Sequence, residues 1–235
     1  MNELSDAFKI AFHLLASMDS ELLAIVGLSL KVSLIAVTVS CLVGFTLGAG
    51  LAVYRFPGSR LLVIVINALM GLPPVVVGLV VYLLLSRSGP LGVLGLLYTP
   101  TAMIIAQTLL ITPLVAALSL QVLDGLHLEY DEFFRSLHLT PFAKMKTLLW
   151  DGRHGLVVVG LAGFGRAISE VGAVMIVGGN INHVTRIMTT AIALETSKGT
   201  LALALALGII LIGFSICVNG AVMALRSAGT GRAHA

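Results

Sequence analysis

Charge is what this sequence has least of. Lysine, arginine, aspartate and glutamate together make up 11% of its 235 residues, against about a quarter in an ordinary soluble domain. A chain so poor in charge is not a soluble globular domain. Its net charge is also small, +3 with histidines neutral, and no basic stripe exists along which a nucleic acid could lie. We expect no nucleic-acid partner. The two cysteines, Cys41 and Cys217, stand in apolar runs without metal-ligand companions and are expected to act as small packing residues. Six histidines, at positions 13, 127, 138, 154, 183 and 234, lack ligand spacing, so no metal site is expected. There is no G-x-x-x-x-G-K-[ST] phosphate loop: the segment TSKGT, Thr196–Thr200, has the lysine and glycine but not the spacing. Nor does a basic, apolar and small-residue succession open the chain as a cleaved signal would.

What the sequence has is apolar length. Hydrophobic residues form 58% of it and the mean hydropathy is +1.06. Crossing a ~30 Å hydrocarbon layer takes about 20 apolar residues, and runs of that kind occupy about 24–54, 61–86, 101–121, 155–179 and 200–226. The expected fold is all-α and polytopic, with about five transmembrane helices. They fill a membrane domain over 21–226, followed by a short cytoplasmic tail, 227–235. Residues 1–20 are too short and polar for a clear span; Leu4, Phe8, Ala11 and Leu15 share a face, as in an interfacial amphipathic helix lying on membrane lipid.

Basic residues orient the spans. With the segment 122–154 inside, that side carries Arg55, Arg60, Arg135, Lys144, Lys146, Arg153, Arg226 and Arg232, and the other carries Lys9, Arg87, Arg186 and Lys198. Eight against four favours an external N-terminus and an internal C-terminus. Lys31 lies near the outer end of the first span, where it can snorkel outward.

The segment 122–154, VLDGLHLEYDEFFRSLHLTPFAKMKTLLWDGRH, is the only sizeable polar stretch, and it is longer than a helix hairpin needs. Phe133, Phe134, Leu137 and Leu139 cluster on one side of a short helix. Thr140-Pro141 ends it and suits the start of a second, Phe142–Trp150. Two surface helices with exposed aromatics could receive a soluble partner or rest on lipid headgroups.

This segment resembles the EAA loop of ABC importer permeases, patterned E-A-A, three residues, G, nine residues, I-x-L-P. Glu132-Phe133-Phe134 falls on E-A-A, His138 on the glycine, Leu148 on the isoleucine, Trp150 on the leucine and Asp151 on the proline. The spacing and leading glutamate are kept; the alanines, glycine and proline are not. A second stretch, GLAGFGRAISEVGAVMIVGGN from Gly160 to Asn180, resembles the span after that loop in permeases for tetrahedral oxyanions, above all the tungstate/molybdate branch. Weaker likeness runs through Gly71–Ser86, Thr101–Leu118 and Thr185–Gly199.

Arg166 and Glu170 sit inside an apolar run, where unpaired charges cost several kcal/mol. Four residues apart on a helix, they share a face and should pair. The pair could be structural, or it could line or gate a pathway; Glu170 would repel a dianion, which argues against direct binding. Gly160, Gly163, Gly165 and Gly172, with Gly44-x-x-x-Gly48, allow helices to approach closely. Pro73-Pro74, after Gly71, should break the second span near its middle, either as a static kink or as a discontinuous helix lining the path. Thr112-Pro113 reads as an ordinary kink.

The resemblance implies a permease subunit of an ATP-driven importer for a tetrahedral oxyanion, most nearly tungstate, with molybdate and sulfate as the competing substrates. It implies a homodimer around the path, two cytoplasmic ATPase subunits and an extracytoplasmic oxyanion-binding protein. This chain would bind no cofactor and catalyse nothing; ATP and magnesium would belong to the ATPase. Coupling to it would use Glu132, Phe133, Phe134, Arg135, Leu137, His138, Leu139 and Phe142. The pathway or gate would use Pro73, Pro74, Arg166, Glu170, Gly172 and Asn180. An ATP-independent secondary transporter and a non-transporting scaffold are the readings from other classes.

Overall fold

The computed structural model describes residues 2–17, 19–54 and 56–230, with side chains from 7 to 225. Arg55, the side chain of Arg226, and residues 231–235 with Arg232 lie outside the described residues. Among the described residues ten α-helices follow one another: α1 (Asn2–Ala16), α2 (Ser20–Val53), α3 (Ser59–Met70), α4 (Pro74–Leu85), α5 (Pro100–Ser136), α6 (Pro141–Asp151), α7 (Arg153–Ile168), α8 (Gly172–Gly178), α9 (Met188–Lys198) and α10 (Leu201–Thr230). A 3-10 turn, Gly92–Leu94, lies between α4 and α5. Three of the helices, α2, α5 and α10, are each long and apolar enough to cross a membrane. The pairs α3–α4 and α7–α8 are each bent at a short break and make two further spans if each is taken as one.

Local chemistry sets several helix ends. Asp19 accepts the backbone N–H groups of Glu21 and Leu22 at 3.0 and 3.1 Å and so starts α2, satisfying donors that a helix N-terminus leaves free. Thr140 caps α6 by accepting Ala143 N–H, with Pro141 at the first helical position, where its missing N–H costs nothing. Pro74 takes the same position in α4. The second span therefore breaks at Gly71-Leu72-Pro73, with Pro74 opening the new helix.

The polarity that begins at residue 122 does not end a helix. α5 runs unbroken through Pro113 to Ser136, about 55 Å at 1.5 Å per residue. The sequence led us to expect a span ending near 121 and a separate short helix around Phe133. That helix is instead the far end of α5, because Leu123 and Phe134 are fully buried and extend its packing past the last membrane-like residue. The span expected at 155–179 also differs: the chain leaves helical geometry at Ser169–Val171, between α7 and α8. The segment between this span and the last, given no secondary structure from sequence, forms α9.

The chain divides into two compact units. The first comprises Met1–Ala36, Pro73–Gln107 and Gly165–Cys217; the second comprises Val37–Leu72, Thr108–Phe164 and Val218–Ala235. In the first, Val32, Val81, Leu85, Met103, Val174 and Val177 belong to one buried core. There α4 and α8 meet closely: a Cβ on Gly78 would stand 2.8 Å from Ala173 Cα. In the second, Ala49, Ala52, Leu123, Phe134, Leu148 and Leu156 form the core. The expected small-residue packing is present, since a Cβ on Gly44 or Gly48 would meet Val115 or Ser119 of α5 at 2.7 and 2.8 Å. Ser40 and Thr112 add a hydrogen bond between α2 and α5 in this unit, at 3.3 Å.

Candidate functional site

Two sets of residues were singled out by sequence, and each falls within one unit. The first set is the end of α5 and α6, in the second unit. Exposure there is uneven. Phe133 (58%), Leu137 (53%), Phe142 (75%) and Trp150 (69%) project outward, whereas Phe134 is completely buried. Phe134 was expected to face a partner; it is a core residue instead. His127 stacks on its ring at 5.9 Å, Tyr130 meets it edge-on at 5.8 Å, and Lys144 of α6 lies over it at 5.7 Å. The physical reason is α6, which folds back and covers one of the two adjacent rings. Glu132 is exposed, and exposed Arg135 pairs with Asp131 at 2.6 Å. Leu139 is half-buried and contributes to the core beside Phe134.

His138 explains a spacing noted in the sequence. It occupies the place of the glycine in the EAA pattern, and its φ is +50°, the left-handed region that glycine enters without strain. The turn between α5 and α6 keeps the backbone that glycine would favour. At the other end of α6, Arg153 donates to the Trp150 carbonyl at 2.7 Å and lies over its ring at 5.1 Å, a cation–π contact that holds the exposed indole.

The second set lies in the first unit. Arg166 and Glu170 do pair, at 3.3 Å, but not on one helix. Arg166 is in the last turn of α7, and Glu170 lies in the break before α8. Its Oε1 accepts Ala173 N–H at 3.2 Å, so the carboxylate also caps α8. Both charges complement helix dipoles, the cation at a C-terminus and the anion at an N-terminus. Glu170 is 2% exposed while the Arg166 side chain is 42% exposed. The anion is thus fixed inside, and the cation is shared between it and open space.

A break at membrane depth frees backbone groups that must find partners. Gln107 Nε2 donates to the Ala167 carbonyl at 3.1 Å. Ser169 Oγ donates to Gly165 O at 2.9 Å, and Thr189 Oγ1 to the Glu170 carbonyl at 2.8 Å. Gly172 lets α4 close on this point, since a Cβ there would stand 2.9 Å from Val75. The structure therefore brings Pro73, Pro74, Arg166, Glu170 and Gly172 into one unit, with α4 starting against the start of α8. Asn180 sits past the other end of α8, with φ +50°. Its Nδ2 donates to the Thr190 carbonyl at 3.2 Å, while its buried Oδ1 has no partner among the described residues.

Sequence reasoning missed one cluster. Glu195 of α9 is buried and pairs with Lys198 at 3.1 Å and Arg186 at 3.9 Å; Arg186 also reaches Glu21 at 3.5 Å. Thr200 donates to the same carboxylate. That hydrogen bond, then Lys198 and Arg186, holds the Glu195 carboxyl below the usual carboxylate range against the opposing effect of burial. Arg186 and Lys198 had been weighed only as topology markers; the signal for their pairing was Glu195, three residues before Lys198. Among the described residues no three histidine, cysteine or acidic side chains gather as a metal site would require.

Comparison with known proteins meets this geometry from outside. The family of binding-protein-dependent transport system inner membrane components matches residues 44–228. The tungstate uptake system permease protein TupB of Peptoclostridium acidaminophilum is 39% identical over 226 residues, 96% of this chain and 99% of that protein. TupB of Campylobacter jejuni is 36% identical over 214 residues, covering 91% and 90% of the two chains. A probable anion ABC transporter permease protein of Haloferax volcanii is 40% identical over 216 residues, covering 90% and 93%. Sulfate transport permeases are more distant, at 27% for CysW of Synechococcus elongatus.

Proposed function

The chain belongs to the family of binding-protein-dependent transport system inner membrane components, and on that premise we propose that it forms the membrane path of an ATP-driven tungstate importer. Such a permease is a multi-pass inner-membrane subunit and not itself an enzyme; it works with a separate ATPase and an extracytoplasmic binding protein. The observation that carries the tungstate reading is the 36–39% identity to tungstate uptake permeases across nine-tenths of the chain or more. Molybdate is the second reading, from the likeness of Gly160–Asn180 to that branch. Sulfate has weaker support, since those permeases are more distant.

In this reading two copies surround the path, ATP and magnesium are bound by the ATPases, and lipid covers the apolar outer faces. The basic-residue count supports an internal C-terminus. Phe133, Leu137 and Phe142 meet the ATPase, with Glu132 and Arg135 at the rim, while Phe134, Leu139 and the His138 turn hold the helix that carries them. Force on that helix passes along α5, an unbroken rod, toward the α4 and α7–α8 breaks, whose half-helices shift to change access. Arg166, with Pro73, Pro74 and Gly172 at the start of α8 and Asn180 past its end, lines the way; Glu170 holds Arg166 and is kept from the anion by burial.

The test is uptake by cells lacking this gene, complemented with it. Tungstate accumulation should return and should resist excess sulfate. Restored molybdate or sulfate uptake without tungstate uptake would refute the substrate. Outside labelling of Ser136→Cys would reverse the orientation.

A further inference from the structure

Between α4 and α5 the chain closes on itself around a cavity of ≈ 660 Å³. Tyr82, Ser86, Arg87, Ser88 and Tyr98 supply its polar lining, and no carboxylate is among the described residues that line it. We propose that this cavity is a tungstate-binding site on the membrane subunit itself, where Arg87 provides the cation and the hydroxyl groups provide neutral donors. The inference rests on the tungstate reading and adds to it a place where the anion stops.

The cavity is built, not a chance hollow between side chains. Leu91 N–H donates back to the Leu84 carbonyl at 2.9 Å, and a Cβ at Gly89 or Gly92 would run into the carbonyl oxygens of Leu83 and Ser86. Glycine is required for the loop to turn this tightly. Tyr98, on the far wall, holds φ +63°, a conformation that costs a tyrosine of order 1–3 kcal/mol and that surrounding structure must impose. Two contacts do so: Tyr98 N–H donates to Val177 O at 3.0 Å, and its ring lies where a Cβ on Gly179 would approach to 2.8 Å. Gly179 itself has φ +68°. The end of α8 and the wall of the cavity thus fix each other.

The donor set suits a tetrahedral dianion. Arginine stays charged at any working pH, and among the described residues no carboxylate pairs with Arg87. The Ser86 hydroxyl donates to the Leu83 carbonyl at 3.1 Å and its oxygen lies 3.4 Å from that of Ser88, which makes Ser88 the freer donor of the two. The rings of Tyr82 and Tyr98 meet edge-on at 6.5 Å, and the neighbouring Tyr82 hydroxyl raises the Tyr98 phenol above its ordinary value. Tyr98 therefore keeps its proton to donate. Hydroxyl donors can turn toward an anion, while the carboxylate that would repel one is absent from the wall. The volume exceeds that of one tetrahedral anion, so part of the hydration shell stays. One cation, neutral donors and retained water give binding weak enough to release.

The test uses the intact permease–ATPase complex in lipid nanodiscs without the binding protein, titrated with sodium tungstate. Saturable binding is expected in the wild type, weakened at least tenfold by Arg87→Ala, less by Arg87→Lys, and a few-fold by Tyr98→Phe. Equal binding by wild type and Arg87→Ala would overturn the proposal. So would no binding by a wild-type complex that transports tungstate from its receptor, even if Arg87→Ala weakened receptor docking. Tungstate bound through Arg87 in a complex that never transports it would instead overturn the functional reading and leave the site standing.

Discussion

The two units of this chain bury helices in opposite ways. In the second unit, the backbones of α2 and α5 approach through Gly44 and Gly48, with Ser40 and Thr112 adding a polar link. In the first, the chain breaks at Ser169–Val171, and buried side chains replace the lost backbone bonds: Gln107, Glu170 and Thr189 each serve a group freed at or beside that break. Close-packed rods transmit displacement because they have few alternative arrangements. A broken helix held by side chains can exchange one set of partners for another. In the proposed function, the second unit would transmit force and the first would change access.

The comparison breaks first, and with the largest effect, at the two adjacent phenylalanines. Phe134→Asp puts a carboxylate into the second unit's core and should cost about 4 kcal/mol or more, seen as loss of folded, extractable protein. Phe133→Ser should leave the melting temperature within a degree or two while abolishing co-purification with the ATPase. Equal stability of the two variants would mean that the rings are not divided between core and surface.

Next in size is the break itself. Glu170→Gln leaves Arg166 unpaired and weakens the cap on α8, for an expected loss of about 2–3 kcal/mol measured by thermal unfolding in detergent. Arg166→Gln should cost at least as much, because it leaves the buried Glu170 carboxylate without its counter-charge. A smaller loss for Arg166→Gln would mean that the cap on α8, and not the ion pair, holds the carboxylate in place.

The Glu195 cluster gives a smaller, pH-dependent effect. Its carboxyl is held below the ordinary range in the folded protein, so its contribution is complete above the unfolded value and fades as pH falls through the lowered one. Glu195→Gln should therefore be less stable than wild type at neutral pH, by about 1–2 kcal/mol, and the gap should close as pH falls through the lowered carboxyl value. A gap that persists in acid would locate the effect in packing. Smallest is His138→Gly, which relieves a left-handed residue and should stabilise the α5–α6 turn by roughly 0.5 kcal/mol.

How much of this could be read from sequence follows from the range of the interactions. Apolar length announced the spans, and Thr140-Pro141 announced the start of α6, because those signals are local. Gly44 and Gly48 carried their packing in their spacing. The break at Ser169–Val171 has no proline or loop composition; its groups are satisfied by Gln107 and Thr189, far away in the chain, so no window around it could show it. Phe133 and Phe134 are alike in sequence and separated only by α6 folding over one of them. α5 outlasts its apolar stretch because burial of Leu123 and Phe134 replaces membrane as the reason for helix. α9 escaped notice because its charges pair with one another and with Glu21, a relation that single positions do not reveal.

The central claim is that this chain moves tungstate only when a separate ATPase drives it through the α5–α6 surface. The direct measurement is tungstate accumulation in proteoliposomes holding the permease, its ATPase and its binding protein. Accumulation should require ATP and all three components, and it should vanish with Phe133→Ser in a complex reconstituted at equal density. Tungstate entry into vesicles containing the permease alone, down an ion gradient and without nucleotide, would contradict it.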